Sequence, residues 1–339
     1  MDAKTARSAT VVMLYKGEDI AAFCTSFSFT SKAYGEMDQV AITLQDRDGR
    51  VWQGERWPTR GDILEPILIV EDWRRNGDRH ELRCGAFELD MPVVTGPPDT
   101  IELNGSAKKT ETSAQAEKKT TGWEAVSLSQ VAGDIAGRNG YSLDWRGKDR
   151  SYPRLDQKEE GDLAFLERIA QEAGNGVKLH EGRLTVMDVA AMENQAPAFV
   201  FNRLQSFAQG PAVVDYRFSS ELHDKYKSCR VIWQDTDLGE LYVGKFDDPK
   251  VPSGEVLKIS DKRVTSSGDA EKLAKESLLA KNRPDIIADL TIVGDTRVKG
   301  GLTCTLTEFG GFSGKYLIKS AEHSPFNGYK VKLSLQKVK

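Results

Sequence analysis

The side chains with the widest chemical repertoire in this chain are four solitary histidines: His80, His180, His223 and His323. None belongs to a His-x-His or His-Glu-x-x-His motif, the spacings that place two imidazoles on one metal ion. A metal centre would need ligands from distant segments, so the sequence predicts none. His323 lies in the last predicted hairpin, where we interpret it as a histidine of the core or of a turn.

Three carboxylates, Glu159, Glu160 and Asp162, come just before a helical pattern. Two carboxylates that flank a glycosidic bond can act as acid and base in glycan cleavage. Acidic residues at the start of a helix are also favoured by capping and by the helix dipole. We therefore predict a structural role, with Asp162 as the N-cap of the helix, and we expect no catalytic residue and no cofactor.

The segment 310–315, GGFSGK, is superficially similar to a phosphate-binding loop. That motif requires a glycine five residues before Gly314, where this chain has Phe309. It also requires a Ser or Thr after the lysine to bind magnesium, and Tyr316 stands there instead. The segment is better interpreted as the turn of a β-hairpin.

The four cysteines are far apart, and each lies in a strand-like segment: Cys24, Cys84, Cys229 and Cys304. Disulfide frameworks and zinc sites are recognised by closely spaced cysteines. The sequence therefore predicts buried, reduced thiols.

The chain of 339 residues is longer than one typical core, so we expect two or three domains. Its 47 basic and 51 acidic residues are interspersed without a basic stripe, which argues against sequence-specific nucleic-acid binding. The longest apolar runs, such as residues 67–70, are far shorter than the ~20 residues of a membrane span. No signal peptide opens the sequence, which predicts cytoplasmic synthesis without export and no membrane insertion.

Residues 1–107 are predicted to form a first β-barrel module. Apolar residues alternate with polar ones in segments 23–29 and 40–44, and residues 67–70 form a continuous apolar run. Turn signals separate these segments at short intervals, which is typical of a small barrel or sandwich.

Residues 108–122, KKTETSAQAEKKTTG, contain no large apolar side chain and are predicted to be an exposed linker. Residues 123–200 then predict a small α+β domain. One helix follows Ser127 as its N-cap, a second covers about 162–173, and a hairpin covers 177–189.

Residues 201–339 predict a second β-barrel module with one helix at 268–282. Strands are expected at 213–218, 226–234 and 240–246, and a loop at 247–267. The apolar residues of the helix share one face. Asn327-Gly328 then forms the turn of the last hairpin, between segments 315–320 and 329–335.

The two β-modules contain similar hairpins. In the first, Gly85, Phe87 and Leu89 are followed by a turn and then by Ile101 and Leu103. In the second, the corresponding residues are Gly314, Tyr316 and Ile318, and then Val331 and Leu333. This indicates an internal repeat, although any two hairpins share features at this level and coincidence is the alternative.

This order of parts resembles a known family. The run QKEEGDLAFLERIAQEAG, at 157–174, marks the insert. The matching residues of the last module are Ala274, Gly294, Gly301, Gly314, Tyr316, His323, Gly328 and Tyr329. On these residues the chain resembles the late-control-D-like baseplate hub proteins of contractile phage tails, which are related to the N-terminal hub part of type VI secretion spike proteins.

The resemblance implies an α+β fold, mainly β, with two tube-like β-barrel modules and a small α+β domain inserted between them. It also implies a homotrimer whose modules form a ring around a central channel. Such a ring would adapt a six-fold tail tube to a three-fold spike.

The same resemblance implies the partners: the tail tube protein, a spike protein, baseplate wedge proteins and the tape-measure protein. The sequence ends directly after the last hub strand, so we expect the spike to be a separate polypeptide. The implied location is the virion tail baseplate, assembled in the cytoplasm of the bacterial host, in a phage or a phage-derived particle such as a bacteriocin.

Three tryptophans flank the first module: Trp52, Trp57 and Trp73. Tryptophan is enriched in interface hot spots, so these are candidate subunit contacts, with burial inside their own module as the alternative.

Two other functions stay open on the sequence. One is a tail-tip module that binds or degrades peptidoglycan through the α+β insert. The other is a tail-tip protein of a non-contractile phage, which would share the same fold.

Overall fold

A computed structural model describes residues 6–46, 54–107, 118–180, 182–206, 210–220, 225–235, 239–282 and 286–338. Within these ranges the chain is an α+β protein made mainly of strands, as the sequence predicts. None of the helices in these ranges has the length and apolar character needed to cross a bilayer.

The first β-module alternates buried and exposed side chains along its strands. The strands are β1 (Ser8–Tyr15), β2 (Glu18–Asp19), β3 (Cys24–Lys32), β4 (Gln39–Gln45), β5 (Ile63–Glu71), β6 (Arg79–Arg83), β7 (Phe87–Leu89), β8 (Val93–Thr95) and β9 (Thr100–Ala107). They form one curved sheet in the order β3-β4-β9-β7-β5-β1-β2, with β6 on β5 and β8 on β9. Phe27, Phe29 and Leu103 point into its core.

The α+β insert follows. Its elements are β10 (Lys119–Ser127), α1 (Leu128–Arg138), β11 (Ser142–Arg146), β12 (Ser151–Glu160), α2 (Asp162–Glu172), β13 (Asn175–His180), β14 (Arg183–Asp188) and α3 (Val189–Asn194). Ser127 caps α1 as predicted, in a capping box with Gln130. The predicted apolar faces of α1 and α2 are buried in a core of their own.

Two sequence predictions need correction here. Strand β10 begins at Lys119 and pairs with β12, so the last residues of the predicted linker form a polar strand whose side chains alternate between exposed and half-buried. Residues 108–117 lie outside the described ranges.

The N-cap of α2 is Gly161, not Asp162: Gly161 has extended backbone angles, and Asp162 is the first helical residue. The Asp162 side chain is turned into the insert instead of capping the helix.

The last part of the chain contains β15 (Phe199–Asn202), β16 (Val213–Ser220), β17 (Tyr226–Asp235), β18 (Glu240–Asp247), β19 (Glu255–Ile259), α4 (Ser267–Lys281), β20 (Ile286–Val293), β21 (Thr303–Thr307), β22 (Gly314–Ser324) and β23 (Lys330–Lys337). The predicted last hairpin is β22–β23, with antiparallel pairing. Strands β15, β16 and β20 to β23 form the second β-module.

Strands β17 to β19 and helix α4 form a separate unit between β16 and β20, with its own apolar core. The helix lies within one residue of its predicted bounds, and its predicted face is buried. That face packs on β17 and β18, not on the second β-module. Strand β19 was missed because it pairs in parallel at a sheet edge, and its exposed residues lack a clear apolar alternation.

The two β-modules share one sheet and one core. Strand β22 of the second module pairs with β3 of the first, and this pairing joins their sheets into a single path. Buried residues of both modules belong to one continuous apolar cluster. The modules are therefore connected by main-chain hydrogen bonds and not only by side-chain packing.

Candidate functional site

The two β-modules have the same strand order. In the first module the order is β3-β4-β9-β7-β5, and in the second it is β16-β20-β23-β22-β21. Every neighbouring pair in both series is antiparallel. The modules differ at the next strand, since β1 is antiparallel to β5 whereas β15 is parallel to β21.

The agreement extends to the register of the strands. Strand β3 pairs Cys24 with Leu44 and then shifts register before Ser26. Strand β16 pairs Val213 with Ile292 and shifts register before Asp215. After these bulges both pairings continue without a further shift, so that Phe29 corresponds to Phe218.

The predicted hairpin repeat follows the same register. Leu89 lies opposite Gly105, and Ile318 lies opposite Leu335, at equivalent positions. The N–H of Gly61 donates to the carbonyl of Leu89 at 2.9 Å, and that of Gly301 donates to Ile318 at 2.8 Å. Shared strand order, register and bulge position exclude a chance likeness of two hairpins. The internal repeat predicted from the sequence is confirmed.

The junction between the two repeats is the candidate functional site, because it is where one module recognises another. Ser320, Ala321, Glu322 and His323 of β22 pair with Lys32, Ser31, Thr30 and Phe29 of β3. The N–H of Ala33 extends this ladder with a bond of 2.8 Å to the carbonyl of Lys319. The rings of His323 and Phe29 stack at 5.8 Å between centroids.

His323 is fully buried at this junction and has both ring nitrogens bonded. Nε2 lies 2.9 Å from the carbonyl oxygen of Val298, which only accepts, so Nε2 carries the proton. Nδ1 then accepts from the hydroxyl of Tyr329 at 2.7 Å. Burial lowers the pKa of His323 to about 4, so the ring is neutral near pH 7. This confirms its interpretation as a core histidine.

Trp73 reaches from the first module to the second. Its Nε1 donates to the carbonyl of Gly294 at 2.7 Å, and its ring lies 5.3 Å from that of Tyr329. Next to this contact, the buried carboxylate of Asp295 accepts from the guanidinium groups of Arg74 and Arg297. The junction thus combines an apolar centre with a paired charge at its border.

The carboxylates at and before the start of α2 have different environments. Asp162 is fully buried. Its partners are Arg138 at 2.6 Å, Asn139 at 2.8 Å, Gln157 at 2.9 Å and Lys119 at 3.3 Å. Burial alone would raise its pKa, but these hydrogen bonds and the charge of Arg138 lower it. Asp162 is therefore an ionised group at the centre of the insert.

Glu160 is separately paired with Arg168 at 2.9 Å, and Glu159 lies at a backbone position with positive φ before α2. The sequence did not indicate the Asp162 partners, because the four residues come from three separate segments. The one local signal of a buried cluster is an acidic residue at the start of a helix, next to apolar residues.

The other candidate residues lie apart from one another. His80 is on β6, 3.6 Å from Asp78, and His180 is on β13, with Nδ1 3.3 Å from Asp38. His223 lies outside the described residues. Residues 310–313 lie in the connection between β21 and β22, and Gly314 and Lys315 begin β22, so segment 310–315 is part of a β-hairpin as predicted. In the ranges that the structure covers, no three His, Cys, Asp or Glu side chains are grouped to hold a metal ion.

The four cysteines are free and buried, as the sequence predicts. Burial raises their pKa values, to about 12 for Cys84 and Cys304 and to about 11 for Cys24 and Cys229. At neutral pH they are thiols with little nucleophilic character.

The three tryptophans have different environments. Trp73 is 9% exposed and is used within the chain, Trp57 is 39% exposed, and Trp52 lies outside the described residues. Trp57 is thus the one described tryptophan of the three whose side chain offers substantial surface to a partner.

Two curated phage proteins, each described as a probable baseplate hub protein, are similar to this chain in sequence. The protein of Escherichia phage 186 is 25% identical over 190 residues, which cover 54% of this chain and 46% of the relative. The protein of Escherichia phage P2 is 26% identical over 162 residues, which cover 47% of this chain and 39% of the relative. The chain therefore matches less than half the length of either relative. It matches no protein-family model.

Solved structures share the fold over nearly the whole chain. A tail protein from Neisseria meningitidis has a TM-score of 0.72 at 13% identity, with 97% of both chains covered. The 43 kDa tail protein of prophage MuSo2 from Shewanella oneidensis has a TM-score of 0.71 at 14% identity, with 97% of this chain and 98% of that protein covered. A type VI secretion component of E. coli has 0.54 at 10%, covering 99% of this chain and 75% of that protein. This chain is similar in sequence to two proteins described as probable phage baseplate hub proteins, and it has the fold of these tail proteins.

Proposed function

We propose that this chain is the structural hub of a phage tail baseplate, or of the baseplate of a phage-derived injection particle. In this role three copies form a closed ring around a central channel. One face of the ring contacts the six-fold tail tube, and the other holds a three-fold spike.

The observation that carries the proposal is the internal repeat joined by the β3–β22 pairing. Two modules of equal strand order are fixed edge to edge within one chain. Three such chains supply six similar modules, which is the number that a six-fold tube requires. The ring then repeats one head-to-tail contact around an axis and closes without free ends.

The rigidity of the junction suits such a ring. Main-chain pairing, the stacking of His323 on Phe29 and the Trp73–Gly294 hydrogen bond fix the angle between the two modules. A fixed angle inside each chain sets the curvature of the assembly. A flexible linker would leave that angle undefined.

A structural role also agrees with the chemistry of the insert. The carboxylates that would be needed to cleave glycans are held in ion pairs, since Asp162 bonds Arg138 and Glu160 bonds Arg168. We therefore propose no catalytic activity. Relatives described as hub proteins support the same choice.

The experiment that tests the proposal is native mass spectrometry with negative-stain microscopy, on the chain alone and co-expressed with the tail proteins encoded beside it. We expect an assembly of three 37.6 kDa chains and ring images with an open centre. The tube, spike, wedge and tape-measure proteins are the partners to test by co-purification.

Monomeric, compact particles in both preparations would contradict the ring. Sedimentation with purified peptidoglycan is the matched test of the wall-binding alternative. Binding there without any assembly would favour that alternative over the hub.

A further inference from the structure

Several strand edges are unpaired within the described residues, and two of them correspond to strands of the internal junction. Strand β16 pairs only with β20, and β8 pairs only with β9. In the first module the equivalent of β16 is β3, whose second edge is taken by β22. An edge that is occupied in one repeat is therefore open in the other.

The repeat also identifies the counterpart of β8. Val93 lies opposite Glu102, and Glu322 lies opposite Lys332, at equivalent positions of β9 and β23. Counting from Leu89 and Ile318, residues 91–94 therefore correspond to residues 320–323, with no insertion or deletion. Residues 320–323 are the ones that pair with β3 in the junction.

The open edges are exposed where their counterparts are buried. Phe27 is 2% exposed on β3, whereas its equivalent Tyr216 on β16 is 38% exposed. His323 is fully buried, whereas its equivalent Val94 is 52% exposed. Met91 and Val93, at 67% and 52%, and Val214, at 50%, extend these two apolar edges. Unpaired strand edges with exposed apolar side chains are binding sites for another strand.

We propose that β16 of one copy pairs with residues 91–94 of a second copy, in the register of the internal β3–β22 junction. Phe218 then lies opposite Val94, Ser219 opposite Val93, and Ser220 opposite Pro92. The contact is heterologous, because different edges of the two copies meet, so it repeats from copy to copy until a ring closes. This assignment rests on the proposed hub function and names the strands that would build its ring.

Pro92 distinguishes the contact between copies from the internal junction. Pro92 stands at the position that Ala321 has in the internal junction. The N–H of Ala33 donates to the carbonyl of Lys319, and hydrogen-bonded pairs alternate along an antiparallel ladder. The N–H of Ala321, two residues further along β22, therefore faces β3. Proline has no N–H, so this edge has one donor fewer than β22. Proline on an edge strand also limits pairing with unrelated strands.

A designed disulfide tests the register. By the same alternation, Thr30 and Glu322 are a non-hydrogen-bonded pair, the geometry in which Cβ atoms lie about 4.5–5.5 Å apart. Their equivalents between copies are Ser219 and Val93. The double variant Val93→Cys with Ser219→Cys is oxidised in the full chain, co-expressed with the neighbouring tail proteins, and separated on a non-reducing gel. Covalent oligomers up to a closed trimer are expected.

Two controls accompany this variant. Thr30→Cys with Glu322→Cys reproduces the pair inside one chain, and we expect a disulfide without any change in chain number. Each single variant, Val93→Cys or Ser219→Cys, carries only one half of the heterologous contact and is expected to give no chain longer than a dimer. A ladder from either single variant would overturn the proposed pairing.

A charge placed in the contact tests it without cysteine. Val94→Asp is expected to raise the protein concentration needed for assembly at least tenfold. The reason is that the carboxylate would face Phe218 of the second copy. Val256→Asp, on β19 and 46% exposed, is the matched control and is expected to leave assembly unchanged. Circular dichroism establishes that both variants fold.

The outcomes separate this inference from the function on which it rests. Rings that form in native mass spectrometry, without a disulfide between Val93→Cys and Ser219→Cys, would overturn the strand assignment and leave the hub proposal standing. The absence of any assembly of the unmodified chain would overturn both.

Discussion

The indole Nε1 of Trp73 donates a hydrogen bond of 2.7 Å to the carbonyl oxygen of Gly294, 221 residues further along the chain. Gly294 in turn donates its N–H to the carbonyl of Tyr329 at 2.9 Å. A side chain at Gly294 would overlap the ring of Tyr329, so the glycine allows the two aromatic rings to meet the backbone closely. This contact spans the two β-modules.

Replacing Trp73 by Phe is expected to destabilise the chain by about 1–2 kcal/mol, because a smaller aromatic ring remains in place but the buried carbonyl of Gly294 loses its donor. Urea unfolding followed by tyrosine and tryptophan fluorescence measures the change. Trp57→Phe is the control, since Trp57 is 39% exposed, and we expect a change within about 0.5 kcal/mol. Equal effects of the two variants would contradict the structural role of Trp73.

Stability is expected to decrease as the pH falls from 7 to 5, in part because of His323. The unfolded chain takes up a proton on this residue below about pH 6.5, whereas burial lowers the folded pKa to about 4. The contribution of His323 to the free energy of unfolding is complete above the unfolded pKa and decreases as the pH falls towards the folded pKa. At pH 5 it is smaller by about 2 kcal/mol.

The measurement is the urea midpoint of the wild-type chain and of His323→Gln at pH 7 and pH 5. The variant is less stable at pH 7, but it lacks the titrating ring, so its stability should depend less on pH. His80→Gln, on the exposed β6, serves as the control and should retain the wild-type dependence. The same pH dependence in His323→Gln and wild type would refute this assignment.

Asp162→Asn is expected to cost about 3 kcal/mol, because Arg138 and Lys119 would lose the buried charge that compensates theirs. The pKa of Asp162 is lowered by its partners, so its stabilisation is present above the unfolded pKa of about 3.9 and is lost as the pH falls through the folded pKa. Thermal unfolding at pH 7 measures the cost.

Asp156→Asn is the matched control for this substitution. Asp156 pairs with Arg154 on the surface of the insert, where both side chains are partly exposed. A surface pair of this kind contributes at most about 1 kcal/mol. A cost for Asp162→Asn no larger than that of the control would show that the buried cluster is not a determinant of the insert.

Gly244→Ala is expected to destabilise the unit of β17 to β19 and α4 by about 2 kcal/mol, because a Cβ at this position would overlap the backbone of Ala270 and Glu271. Helix α4 therefore packs directly on the main chain of β18.

In contrast, the added methyl group of Gly133→Ala in helix α1 meets no atom within 4 Å, and the substitution is expected to stabilise the chain by about 0.5–1 kcal/mol. Hydrogen exchange monitored by mass spectrometry locates both changes.

The sequence was sufficient for the features whose signals are local. Alternation around Leu103 and Leu333 predicted the repeated hairpins, and helical spacing predicted α1, α2 and α4. Ser127 was predicted as the N-cap of α1 because it directly precedes the helical pattern, and the structure adds its capping-box partner Gln130.

The junction and the Asp162 cluster could not be predicted in the same way. The pairing of Phe29 with His323 joins residues almost 300 positions apart, and no local pattern specifies the partner of an edge strand. Likewise Trp73 was expected to be a subunit contact or to be buried in its own module. It is instead buried against the other module, a choice that depends on the tertiary arrangement of Gly294 and Tyr329.

The connections after the equivalent strands β3 and β16 are very different. Residues 33–38 close the first with a short turn, whereas the second, from β16 to β20, carries an additional sheet and helix α4. In a closed ring of these chains, the framework would approach six-fold symmetry while its appendages recur only at every second module. A duplicated chain can thus give its appendages half the symmetry of its framework, and a protein that docks on the appendages of such a ring would meet three equal places instead of six.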